Sequence, residues 1–144
     1  MLREAVQEQV WEFFLRYKNG NSSCDVVTIG DLYADLFMFG KPDGVQTVRK
    51  VDFLKVIPRM KAHFASLGVA DTRLETVDVS TLDSKYLLAT VGWAITLENA
   101  IGSKQVQASA TYILMRGVGD TLTIVFQIDH QDLAGVIRAQ QSVQ

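Results

Sequence analysis

From residue 69 onward, apolar and polar residues alternate with a period of two in four long runs, residues 72–82, 85–98, 105–116 and 121–130, and nothing of helical period interrupts them. A period of two places successive side chains on opposite faces of a strand, so the second half of the chain is committed to a sheet. The segments between the runs are short: Asp83 and Ser84, "NAIGS" from Asn99 to Ser103, and "GVGD" from Gly117 to Asp120. Connections of that length join antiparallel neighbours.

The first half has the other period. Val6, Val10, Phe13, Phe14 and Tyr17 form the apolar stripe of a helix that Asn19, Gly20 and Asn21 are expected to end. A second, shorter helix follows Ser22 or Ser23 as N-cap and carries Val26, Val27, Ile29, Leu32 and Tyr33, giving way near Asp35 to the strand "DLFMFG". "KPDG" turns that strand into "VQTVRK", and Asp52 caps a third helix with Phe53, Val56, Ile57, Met60, Phe64 and Leu67 on one face. Pro58 predicts a kink or restart in it, Gly68 its end. The tail "QDLAGVIRAQ" reads as a last partial helix.

Composition narrows the function classes. A chain of 144 residues, 48% hydrophobic and 21% charged, suits one domain spanning 1–144 with a single core. Its net charge of −2 is spread without a basic run, which argues against nucleic acid as a partner. The single Cys24 allows no internal disulfide, and two isolated His residues, His63 and His130, supply no metal set. We therefore expect no metal and no cofactor. No glycine-rich loop leads from a strand into a helix, which argues against nucleotides. "MLREAVQEQVWEFF" mixes charge into its apolar positions, unlike a signal peptide or a membrane span, so no membrane partner and a cytoplasmic location are the expectations.

Alternation also assigns faces. Leu87, Ala89, Val91, Trp93, Ile95 and Leu97 form one apolar face, matched in the next run by Val106, Ala108, Ala110, Tyr112 and Leu114. In the last run Leu122, Ile124, Phe126, Ile128 and His130 fall together, with Gln127 and Asp129 on the opposite side. On that phase His130 faces inward, and its unperturbed pKa of ~6.5 suits proton transfer. Asp35, beside Tyr33, Phe37 and Phe39, is the other candidate acid or base. The outer face, with Thr, Gln and scattered Val, Ile and Met, suits another subunit's sheet.

The order helix, helix, hairpin, helix and four long strands closing on "YILMRGVGDTLTIVFQIDH" resembles the nuclear transport factor 2-like superfamily, with its SnoaL-like and ketosteroid-isomerase-like members. "LYADLFMFGKPDG", "KVDFLKVIPRMKAHF" and "YLLATVGWAITLE" carry the rest of the likeness. The resemblance implies an α+β, cystatin-like cone: N-terminal helices in the concave face of a strongly curved, mostly antiparallel sheet, enclosing an apolar pocket and commonly dimeric through the sheet. It implies a small-ligand-binding protein, or alternatively a cofactor-free isomerase, cyclase or dehydratase acting on a small hydrophobic carbonyl compound. His130 and Asp35 would be catalytic, and Tyr33, Phe37, Met60, Phe64, Trp93, Tyr112 and Phe126 would line the pocket. The partners expected are a small hydrophobic molecule and a second copy of the chain.

Overall fold

The computed structural model describes residues 2–99 and 101–142. Its elements run α1 (Leu2–Ser23), α2 (Val26–Leu32), β1 (Tyr33–Lys41), β2 (Gly44–Arg49), α3 (Lys50–Ser66), β3 (Val69–Thr81), β4 (Tyr86–Asn99), β5 (Gly102–Arg116), β6 (Leu122–Asp129) and α4 (Leu133–Ser142). The six strands form one sheet in the order β2-β1-β6-β5-β4-β3, with β1 and β6 parallel and every other pair antiparallel. The helices lie in the concave side of this curved, unclosed sheet, as the resemblance implied. Of the turn at "NAIGS", Ala100 lies outside the described residues; the Asn99 side chain accepts from the amides of Ile101 and Gly102 at 2.8 and 3.1 Å.

Four local expectations need correction. α3 starts at Lys50 with Arg49 as its N-cap, so Asp52 lies inside its first turn and does not cap it. α1 continues through Asn19, Gly20 and Asn21, because Gly20 is a packing residue: a Cβ there would sit 3.2 Å from Thr28 Cγ2, so its absence lets α1 approach α2. The cap of α2 is Asp25, not a serine; its carboxylate accepts from the Thr28 amide at 3.2 Å and from the Thr28 hydroxyl at 2.8 Å. α3 runs on through Pro58 without a restart. Pro58 is exposed, so the carbonyl that loses its amide partner can turn to water.

Two apolar clusters fill the concave side. The larger joins Val10, Phe13 and Phe14 of α1 with Ile29, Leu32, Tyr33 and Phe37 and with the inner faces of β3 to β6. The smaller joins Ile95, Leu97 and Val106 to Ile137 of α4, with Phe64, Leu67, Ala108, Leu133 and Val136 around them. α4 therefore closes the far end of the same sheet. β-Bulges bend the strands between these regions: the β3–β4 register shifts twice, between Val69 and Asp71 and between Leu74 and Thr76.

One bulge changes the inside-out assignment. On β5, Ile113 pairs with Phe126 and the next residue, Leu114, pairs with Ile124, so Val125 has no partner opposite it. One extra residue inverts the phase of everything beyond it. Leu122 and Ile124 face the core, but past Val125 the inward residues are Gln127, opposite buried Tyr112, and Asp129, opposite buried Ala110. Phe126, Ile128 and His130 point outward. Gly40 agrees: a Cβ placed on its outer side would meet Ile128 and Phe126 at 3.5 and 3.6 Å.

Candidate functional site

Tyr33 and Tyr112 anchor the floor of the cone, each about 1% exposed. Tyr33 ends α2 and opens β1, so the chain's change from helix to strand points its ring into the core. There it lies 4.6 Å from Phe37 and 4.8 Å from Phe53, centroid to centroid. Tyr17, from the last turns of α1, stacks on Trp93 at 5.7 Å and meets Tyr112 edge-on at 5.7 Å. Such offset and edge contacts are the favoured geometry for aromatic pairs.

A polar chain crosses this aromatic floor. The Tyr33 hydroxyl lies 3.4 Å from that of Tyr17 and donates a short hydrogen bond to Gln127 Oε1, and Gln127 Nε2 donates to Asp129 Oδ1 at 3.2 Å. Tyr112 is in polar contact with Tyr17 and Trp93. Burial, reinforced by neighbouring phenols, holds the hydroxyls of Tyr33 and Tyr112 well above the ordinary tyrosine range, and burial also raises Tyr17. All three are donors at any physiological pH. Burial likewise raises the Asp129 carboxyl, opposed by the Gln127 amide and by the charges of His130 and Lys41. Among the described residues no buried side-chain polar atom lacks a partner.

Exposure along the inner face runs from sealed to open. On β1 it rises from buried Phe37 through half-buried Phe39 to exposed Lys41; on β6 from buried Ile124 and Gln127 to half-buried Asp129; on β5 from buried Ala110 to half-buried Ala108. These open ends lie at the seam between the two apolar clusters. This mouth, bounded by Phe39, Lys41, Ala108 and Asp129 with Tyr17 behind, is the candidate site. Two hollows open elsewhere, one of about 520 Å³ along α1 at Glu4, Gln7, Glu8 and Trp11 and one of about 160 Å³ at the β4–β5 turn, and neither reaches the phenols.

The residues expected from sequence are divided by this geometry. Tyr33, Phe37, Trp93 and Tyr112 come together on the floor, and Phe64 joins the α4 cluster. Met60 is 41% exposed on α3 and belongs to neither cluster. Phe126 and His130 are on the outer face; the His130 ring nitrogen Nε2 sits 2.7 Å from the Thr111 hydroxyl there. Asp35 is fully exposed and lies 3.3 Å from Lys50 Nζ. Gln127 and Asp129, placed outside by simple alternation, are the inward pair. Asp129 and His130 do stay on opposite faces, with the sides exchanged.

No family model matches the sequence, and no curated protein matches it. In structure the chain is an α+β cone of the cystatin-like type. That is the nuclear transport factor 2-like fold, shown by one solved structure so described, and two further solved structures superpose on it as well. An NTF2-like protein with a cystatin-like fold from Novosphingobium aromaticivorans superposes with a TM-score of 0.71 at 13% identity over 94% of this chain and 91% of that one. Aln2 from a Streptomyces species gives 0.70 at 17% identity over 95% and 96%. A Catenulispora acidiphila protein, in complex with S-DNPA, gives 0.69 at 11% identity over 92% and 98%. Identities this low establish the fold, and function has to be argued from the site.

Proposed function

We propose that the protein binds a small, largely apolar molecule at the mouth of the cone, with its polar group turned toward Asp129 and Tyr17. The carrying observation is the gradient along the inner face. A satisfied polar chain that begins among sealed phenols ends on half-buried Tyr17 and Asp129, at a seam flanked by apolar side chains. A few convergent polar groups in an apolar concavity are what a small-molecule site requires. The S-DNPA complex of the Catenulispora protein supports the reading for this fold. Native mass spectrometry of the purified protein is the test. A co-purifying small molecule is expected, and Ala108→Trp, which fills the seam, should expel it. A bound mass that persists in that variant would place the ligand elsewhere.

A second reading, acid/base catalysis without a cofactor, is favoured by one observation: a carboxyl raised by burial beside a donor array. In this reading Asp129 carries the proton that His130 or Asp35 was expected to move. Deuterium exchange α to the carbonyl of small cyclic ketones, followed by NMR in D2O, checks it. Asp129→Asn should slow that exchange by ~10²- to 10⁴-fold; an equal rate in both proteins rejects the assignment.

The same proposal includes a homodimer through the outer face. Met38, Phe126, Ile113 and Leu88 stand in register across β1, β6, β5 and β4, an apolar row four strands wide. Their outward neighbours Gly40, Ile128, Thr111, Thr90, Met115 and Tyr86 carry no charge. In a two-fold interface each residue meets the same surface on its partner, so an uncharged row is one that can pair with itself.

A further inference from the structure

The reading of the mouth as a ligand site leaves the chemical class of the ligand open, and Lys41 bears on it. Past Phe37 the regular β1–β2 register keeps Phe39 and Lys41 on the inner side, and the parallel pairing of Gly40 with Ile128 sets Lys41 level with Asp129. The ammonium stands 6.0 Å from the Phe39 ring centroid, its stem along the half-buried ring. Among the described residues the ion pairs engage Arg49, Lys50, Arg73 and Arg116, and no carboxylate lies within 4.0 Å of the Lys41 ammonium. The carboxyl whose charge it does feel is Asp129, the one whose ionised form burial disfavours. The mouth thus joins an apolar floor to a cation that, among the described residues, has no carboxylate within 4.0 Å.

We propose that the site selects amphipathic acids: Lys41 takes a carboxylate or sulfonate at the rim while the ring or branched hydrocarbon body rests on Phe39 and Ala108. A neutral molecule of the same shape gains only the apolar contact. Because Lys41 is exposed, the preference is modest and weakens with salt. The two-residue step from Phe39 to Lys41 along one strand face also fixes the spacing: the acid must sit within about 7 Å of the hydrocarbon body, the repeat of alternate residues on a strand.

Two fluorescent probes with the same ring skeleton separate charge from shape. 8-Anilino-1-naphthalenesulfonate carries the anion and N-phenyl-1-naphthylamine does not. Titrated into the protein at low salt, the sulfonate should bind more tightly, and Lys41→Met should weaken it roughly 5- to 10-fold, a charge-assisted contact discounted for exposure. The neutral probe should change less than about 2-fold, and Ala108→Trp should abolish both. Equal affinities for the two probes, or equal losses in Lys41→Met, overturn the acid selectivity and leave the ligand site standing. Failure of both probes to bind, or binding that survives Ala108→Trp, overturns the site and the selectivity together.

Discussion

Gln127 holds the polar chain together because it is a two-way relay: its carbonyl oxygen accepts from Tyr33 and its amide nitrogen donates to Asp129. A side chain only 5% exposed, with both ends used, makes the removal of a partner costly. Tyr33→Phe takes its donor away from the buried Gln127 oxygen and should lower stability by ~1–3 kcal/mol in urea titration. Adding Gln127→Leu to it should cost less than the sum of the single changes, since the orphaned group goes with its partner. Asp129 gives a pH signature. Its folded pKa lies above the unfolded value of ~3.9, so ionising it costs stability once the pH passes the folded value, and that cost is absent below the unfolded one. Asp129→Asn should accordingly gain on the wild type at pH 7, with the difference in Tm shrinking as the pH falls through that window. A constant difference from pH 7 to pH 3 would show that the carboxyl titrates normally.

At the scale of elements, bulges and close approaches decide what a strand or helix presents. Gly92 on β4 faces the bulge of β3, where a Cβ would come within 2.4 Å of Thr76 Oγ1. Gly92→Ala should therefore cost ~1–3 kcal/mol by overpacking, and Gly92→Ala with Thr76→Ala should recover most of it. The elements themselves were legible in the sequence, because periods of 3.6 and two are set by local geometry: the four long strands, the hairpin and the three N-terminal helices all appear where periodicity puts them. The candidate site's aromatic floor was legible, its polar residues were not. Tyr33, Phe37, Trp93 and Tyr112 are large aromatics on strongly patterned faces, so alternation found them. Gln127 and Asp129 were hidden by Val125, whose bulge depends on the pairing of β6 with β5 and leaves no mark in the alternation itself. Lys41 was hidden because it follows the apolar part of its strand and reads locally as a turn residue.

For the whole molecule, the sheet divides labour between its faces. The concave face carries the polar chain and the mouth; the convex one carries the row Met38, Phe126, Ile113 and Leu88 with no charge among them. Ile113→Lys puts a cation in the middle of that row on each copy, where a two-fold axis would set like charges near each other. Sedimentation equilibrium should then find a dimer for the wild type and a monomer for the variant, with unchanged far-UV dichroism. A wild type that sediments as a monomer at tens of micromolar would remove the interface. Among the described residues no helix is long and apolar enough to cross a membrane.

Val125 lets a strand eight residues long serve both faces in two different frames. Deleting it would act as a frameshift does in a message: every letter downstream stays the same and each is read with the opposite meaning. His130 would turn toward the phenols and Asp129 toward the outer face. A lineage could thus exchange an imidazole for a carboxyl at this mouth by losing one codon, without substituting either residue. Among chains of this fold, one-residue length differences near the middle of the last strand should therefore travel with the identity of the ionisable group inside.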